Sequence, residues 1–199
     1  SFAAGLKLVQ TRAQLMEHAG TQHPGTMAAV LGMDMDTLQG VCTEAGVEMA
    51  NINAPDQVVI SGTVEAIASA MELAKVRGAR RVIPLEVGGA FHSRLMAPAS
   101  SGMAAAVDMV SFSDPSPAVV ANSTARPLTK GGEIGPELVR QLCAPVRWVE
   151  TIALLKARGI QEYIEFGPGK VLTGLVKRLE KDAVTRNCGD MAAILGASA

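Results

Sequence analysis

The chain has 199 residues, 48% of them hydrophobic and 19% charged, with Lys+Arg 18 against Asp+Glu 19 and a formal net charge of -1. That length accommodates one domain, or a domain with a subdomain, around a sizeable core, and the composition excludes a disordered chain. A balanced charge and 3% aromatics leave neither a basic field nor a stacking platform for nucleic acid, and no apolar run approaches the length of a membrane span.

Taken in order, Phe2, Leu6, Val9, Ala13 and Met16 recur at helical spacing, with Leu8 and Leu15 widening the stripe. Arg12 lies at the border of that face. A guanidinium there either snorkels along the edge of a core or holds a planar anion such as a carboxylate. Residues 21–25 read as a turn, with His18 and His23 beside it on the surface. Strands are predicted at 26–32, 47–53, 57–61 and 79–87, with helices at about 36–45 and 63–77. This βαββαβ order is the ferredoxin-like arrangement, an antiparallel sheet with two helices on one face, and it names no function.

The last of those strands runs into Gly88-Gly89-Ala90-Phe91-His92-Ser93-Arg94-Leu95-Met96. Two glycines relax the backbone where the chain must turn. A histidine there is either satisfied locally at a helix start or a reactive group on a strand-end loop. Beyond it, Pro98 opens a helix to about residue 110, and 111–117 is a connector. Residues 118–122 read as a buried strand, 125–132 as a loop, 135–143 as a short helix stopped by Pro145, and 148–158 as a helix ended by Gly159. A strand at 160–166 then turns through Gly167-Pro168-Gly169 into a helix over 170–181. Helix-then-strand alternation implies a parallel sheet, so the whole chain reads as α/β.

The chemistry in these motifs is half present. Gly167-Pro168-Gly169-Lys170 lacks the Walker spacing and reads as a tight turn. The three histidines are scattered, and Cys42, Cys143 and Cys188 form no ligand pattern, so no metal is expected and the thiols are expected free in a reducing compartment. His92 has the chemistry of a base for a nucleophile. No Gly-x-Ser-x-Gly elbow accompanies it: Gly196-Ala197-Ser198-Ala199 stops one residue short, and Ser93 is covalently too close to exchange protons with it.

Ala90-Phe91-His92-Ser93-x-Leu95-Met96-x-Pro98-Ala99 resembles the histidine motif of malonyl-CoA:acyl-carrier-protein transacylases and polyketide-synthase acyltransferase domains. Leu8-Val9-x-x-Arg12-x-x-x-Met16 resembles their substrate-arginine helix, and residues 50–62 (ANINAPDQVVISG) resemble their small subdomain. Arg140-Gln141-Leu142, Pro145-Val146-x-Trp148 and residues 166–175 (FGPGKVLTGL) extend the similarity to about Lys181.

The resemblance implies an α/β-hydrolase-like large subdomain, partly represented by 1–22 and 88–199, with a ferredoxin-like small subdomain inserted at 23–87. It implies malonyl transfer from coenzyme A, a substrate and not a resident cofactor, through a seryl ester to the phosphopantetheine thiol of acyl carrier protein. His92 is then the general base, oriented by the Gln141 backbone carbonyl. Arg12 binds the malonyl carboxylate, Phe91 limits the α-substituent, and Asn51 and Asn53 belong to the substrate-binding set. The family's serine elbow and its oxyanion-hole glutamine lie upstream of the arginine helix and so would precede Ser1, as expected if the chain is the C-terminal two-thirds of such an enzyme with a cut or processed start. A catalytically silent fragment that binds carrier protein or another partner is the alternative. Arg80, Arg81, Arg94, Lys170, Lys177 and Arg178 are the candidate basic rim for an acidic carrier protein, and a cytoplasmic setting (or a plastid or mitochondrial matrix) is expected.

Overall fold

The computed structural model describes residues 1–196, so Ser198 and the last three positions of the 88–199 stretch lie outside the described residues. Helix α1 (Phe2–Gln22) begins at Ser1, whose hydroxyl accepts a hydrogen bond from the Ala4 amide at 3.3 Å. Its buried line is Leu8, Met16, Ala19 and Gly20. That corrects the expected stripe: Phe2, Leu6 and Val9 are exposed, Phe2 by 86%. The helix carries apolar residues on two faces, and only the Leu8–Met16 face meets a partner among the described residues. Arg12 follows Leu8 by one helical turn, so it belongs to the packed side.

The next six elements are β1 (Gly25–Leu31), α2 (Met35–Ala45), β2 (Glu48–Ala54), β3 (Gln57–Thr63), α3 (Val64–Val76) and β4 (Arg81–Leu85). Asp34 and Thr63 cap the two helices by accepting from Thr37 N and Ala66 N. The strands form one antiparallel sheet in the order β2-β3-β1-β4. Alternation decides its two faces. Ala28, Val30, Val58 and Ile60 face Leu38, Val41, Ile67 and Ala70 of the helices in the principal core. Met27, Ala50 and Val59 form a second cluster, against which Ala29, Leu85 and Phe91 pack. The segment after β4 is therefore held against the sheet face turned away from α2 and α3.

A 3-10 turn (Arg94–Met96) leads into α4 (Ala99–Asp108), which packs on α1 through Leu8, Met16, Met96, Ala99 and Met103. The buried strand expected at 118–122 is corrected. Only β5 (Val119–Val120) pairs, with β6 (Pro127–Leu128), and Val119 is half exposed. The chain reverses between them with Ala125 at φ 52, so apolar residues stand in a hairpin tip.

Helix α5 (Gly131–Arg140) starts four residues before the helix expected at 135 and ends before Cys143. Its glycines and Pro136 read as breakers, yet side chains anchor its start. Asp114 accepts from Gly131 N at 2.8 Å, and Glu133 accepts from the Thr129 and Lys130 amides at 2.9 Å each.

Helix α6 (Trp148–Ala157), β7 (Glu162–Phe166) and α7 (Val171–Leu179) follow the predicted order. Positive φ at Gly167 and Gly169 makes the strand-to-helix turn. Glu165 already occupies the N-terminal amides of α7, accepting from Leu172 N and Thr173 N at 3.0 and 2.8 Å, which leaves that turn no anion-binding role. Two elements were unforeseen: β8 (Val184–Cys188), parallel to β7, and α8 (Met191–Gly196). Arg186 and Asn187 interrupt the apolar pattern of β8, and burial alternates along it all the same. Among the described residues the implied parallel sheet is thus a single pair of strands. Among the described residues no helix is long and apolar enough to cross a membrane. All three cysteines are free, and burial pushes the Cys42 thiol up to about 11, which makes it inert.

Candidate active site

His92 sits in the left-handed region, at φ 59. Histidine is among the few non-glycine residues enriched there, and such backbone outliers gather at functional sites. The surroundings hold it. The last turn of α1 crosses the loop at Gly20, where an added Cβ would lie 2.8 Å from the Gly88 carbonyl oxygen. Ser93 Oγ donates to the Ala90 carbonyl at 2.6 Å and accepts from Leu95 N at 3.3 Å, so its hydroxyl is a buried cap and not a nucleophile. Arg94 pins the loop to the sheet: its amide donates to Glu48 Oε2 at 2.7 Å, and its guanidinium reaches Glu48 Oε1 and the Gly46 carbonyl. A proline at that position has no amide proton to give.

The His92 ring faces the connector between α5 and α6. Its Nδ1 lies 3.0 Å from the Gln141 carbonyl oxygen and 3.1 Å from that of Ala144. Carbonyl oxygens only accept, so Nδ1 carries the proton and the Nε2 lone pair is free. The connector is itself fixed by the sheet. Val146 N donates to the Ala50 carbonyl at 2.8 Å and Ile52 N to the Val146 carbonyl at 2.9 Å, extending the β2 edge. Burial pushes the imidazole below its ordinary value; the Gln141 carbonyl pulls it back, the Arg12 charge lowers it further, and the Ala144 carbonyl raises it. The net direction is downward, which favours the neutral ring.

Arg12 is half-buried, and desolvation lowers its guanidinium from the ordinary value without making it a candidate for deprotonation. Its Nη2 lies 3.5 Å from Gln141 Oε1, a long contact, and its buried Nε has no partner. The cation is therefore underused by the protein around it. Gln141 Nε2 donates in turn to Asn122 Oδ1 at 2.8 Å. One glutamine thus touches the histidine through its backbone and the arginine through its side chain. Phe91 is half-buried and joins the α1–α4 cluster to the second sheet cluster, next to His92 in the chain.

Asn51 and Asn53 stand on β2, where Asn51 also bridges to Val146, two residues from the Ala144 carbonyl. No hydrogen bond ties either side chain to His92, Arg12 or Gln141. Of the six rim residues, Arg94 is paired with Glu48 and Arg178 with Asp56 at 2.5 Å, while Arg80, Arg81, Lys170 and Lys177 are exposed and make no ion pair among the described residues. Sequence reasoning missed the Ala144 carbonyl, for which no side-chain signal exists, and Asn122. The only trace of Asn122 is a polar residue closing the apolar run 118–121, indistinguishable from an ordinary turn asparagine.

The chain is similar in sequence and fold to known proteins. The family described as "Acyl transferase domain" matches residues 1–196. The malonyl CoA-acyl carrier protein transacylase of Bacillus subtilis (strain 168) is 44% identical over 186 residues, 91% of this chain and 59% of that protein. Its Escherichia coli (strain K12) counterpart is 39% identical over 182 residues, 89% of this chain and 59% of that protein. Among solved structures, the acyl-carrier-protein S-malonyltransferase of Burkholderia pseudomallei 1710b superposes with a TM-score of 0.92 at 42% identity, covering 99% of this chain and 66% of that one. A malonyl-transacylase solved in complex with a type II polyketide acyl-carrier protein gives 0.91 at 35% identity, covering 96% and 63%. The chain belongs to the malonyl-CoA:acyl-carrier-protein transacylase family, within the acyl transferase domain class. It spans about three-fifths of the length of the curated relatives named here.

Proposed function

We propose that the chain supplies the base and the carboxylate site of an S-malonyltransferase that moves malonyl from malonyl-CoA to the phosphopantetheine thiol of acyl carrier protein. The observation that carries this reading is the paired geometry at Gln141. Its backbone carbonyl accepts from His92 Nδ1, leaving Nε2 free, and its side chain faces an under-partnered Arg12.

In the reaction, His92 Nε2 takes the proton from a serine hydroxyl as that oxygen attacks the malonyl thioester. The imidazolium returns the proton to the departing coenzyme A thiolate. The carrier thiol then gives its proton to Nε2, its sulfur attacks the seryl ester, and the serine oxygen leaves with that proton. The two carbonyl dipoles at Nδ1 stabilise the imidazolium in each half-reaction, in the place a carboxylate takes in a Ser-His-Asp triad. Arg12 holds the malonyl carboxylate bidentately and orients the thioester. Phe91 crowds the α-carbon, and Asn51 and Asn53 line the substrate from the β2 side.

The serine comes from a Gly-x-Ser-x-Gly segment outside these 199 residues, on an α/β-hydrolase-like large subdomain to which 1–22 and 88–199 contribute. Residues 23–87 are a ferredoxin-like insertion, a reading supported by their βαββαβ order and sheet order β2-β3-β1-β4. The relative solved with a carrier protein supports that partner, and a cytoplasmic setting is the corresponding proposal.

The test uses radiolabelled malonyl-CoA. The 199-residue chain alone forms no acid-stable ester, whereas the chain joined to an elbow-bearing segment does, and His92→Ala in that enzyme abolishes its formation. A stoichiometric ester on the isolated chain, or an unlabelled joined enzyme, overturns the reading. The second outcome favours a silent carrier-binding module, for which the missing elbow in this sequence is the motivating observation.

A further inference from the structure

Asn122 stands at the tip of the β5–β6 hairpin, and its position is over-determined. Its backbone carbonyl accepts from Arg147 N at 2.9 Å. The next residue is clamped to α5: Ser123 N and Oγ donate to the two carboxylate oxygens of the buried Glu137 at 3.0 and 2.6 Å. Ala125 N donates to the Ala121 carbonyl at 2.9 Å and closes the tip. The side-chain oxygen of Asn122 is thereby presented to Gln141 Nε2, at the end of the same helix that anchors Ser123.

The three groups Asn122, Gln141 and Arg12 form a chain with only one workable direction. A guanidinium has donors and no acceptor, so Gln141 must turn its oxygen toward Arg12 and its NH2 away. An NH2 turned away and part-buried needs an acceptor, and Asn122 Oδ1 is the one provided. Without it the orientation rests on the 3.5 Å contact to Arg12 alone, and the Gln141 NH2 is left free to turn away in search of another acceptor. Once it rotates, N–H faces N–H, and the guanidinium plane loses its reference.

We infer that Asn122 is a positioning residue for the carboxylate-binding guanidinium, acting through the Gln141 carboxamide. The inference rests on the reading of Arg12 as the carboxylate site, and it concerns selectivity for an anionic acyl group, not the proton transfers at His92. Those depend on the Gln141 backbone carbonyl, which substitution at 122 leaves in place.

The experiment compares malonyl-CoA with acetyl-CoA in the enzyme joined to its elbow segment, reading the ratio of the two kcat/KM values. Asn122→Leu keeps the volume and removes the acceptor; the malonyl-to-acetyl ratio falls about fivefold, mostly through the KM for malonyl-CoA, the size expected when one neutral side-chain hydrogen bond that orients its neighbour is lost. Asn122→Asp keeps an oxygen acceptor and recovers most of the ratio. As a readout independent of turnover, the Gln141 side-chain NH2 protons, followed by NMR, exchange faster with solvent in Asn122→Leu than in the parent. Should the leucine variant melt below the assay temperature, Asn122→Ala is read in the same way.

An unchanged ratio with unchanged NH2 exchange overturns the inference, as does an aspartate variant as impaired as the leucine one. Arg12→Ala in parallel separates the two claims. If it fails to lower the malonyl-to-acetyl ratio, the carboxylate site itself is wrong. If it lowers the ratio and Asn122→Leu does not, only the positioning role falls.

Discussion

At the scale of single residues, the site is an arrangement of partial satisfactions. His92 has both carbonyl partners on one nitrogen and none on the other; Arg12 has a long contact at one nitrogen and an orphan at Nε. Because burial and the Arg12 charge both push the imidazole down, its neutral form persists to lower pH than that of an ordinary histidine near 6.5. The acid limb of kcat/KM in the joined enzyme should therefore lie below that value. Removing the positive charge in Arg12→Gln should move it to higher pH, measurable independently as the NMR titration of His92. A limb that moves down, or not at all, would remove the electrostatic link between the two side chains. Substrate choice belongs to the same scale. Arg12→Ala should collapse malonyl transfer while neutral acyl-CoAs lose far less, since the carboxylate would then be desolvated without a partner. Phe91→Ser should narrow the malonyl-over-methylmalonyl ratio by the worth of one methyl group in an apolar pocket, about 1–3 kcal/mol. A ratio that stays put would remove Phe91 from the α-carbon.

At the scale of elements, α5 organises the second half of the chain, carrying Glu137 in its body and Gln141 at its end. Its first turn is packed without spare room: a Cβ at Gly131 would meet the Phe112 carbonyl oxygen at 2.1 Å, while at the next residue, Gly132, it would meet nothing within 4 Å. Gly131→Ala should therefore cost more than about 2 kcal/mol and Gly132→Ala should be neutral or slightly stabilising. Equal urea midpoints for the two variants would show that the turn yields. This element also marks where the sequence stops being legible. The βαββαβ half could be read closely because Ala28, Val30, Val58 and Ile60 alternate cleanly against amphipathic α2 and α3. Helix α5 could not, because Gly131, Gly132, Gly135 and Pro136 are helix breakers overridden by the Asp114 and Glu133 caps. The face of α1 was misassigned for another reason: periodicity reports that a face is apolar, not whether a partner covers it. His92 and Arg12 stood out by their positions in the pattern and took candidate roles from motif resemblance, which alone pointed to Phe91 and Gln141; Asn122 and the Ala144 carbonyl carry no pattern.

At the scale of the whole molecule, a formal net charge of -1 gives no general attraction for an acidic partner, so any steering must be local. Two of the six candidate rim cations already spend their charge on Glu48 and Asp56. Charge reversal at Arg80, Arg81, Lys170 or Lys177 should then slow carrier-protein transfer more than reversal at Arg94 or Arg178, and added salt should reduce the difference. Equal effects from both sets would show that the rim plays no part in docking.

The orienting acceptors of His92 have a consequence for how such a site can be altered. Both are main-chain oxygens, at Gln141 and Ala144, and a carbonyl is the same whichever side chain its residue bears. A saturation scan that hunts for a third member of a catalytic triad would return nothing, since no amino-acid replacement erases the group. The alignment of the base is encoded in the path of the chain, anchored by Val146 along the β2 edge. Only a change of backbone course there, such as an inserted residue between Gln141 and Val146, can unmake it.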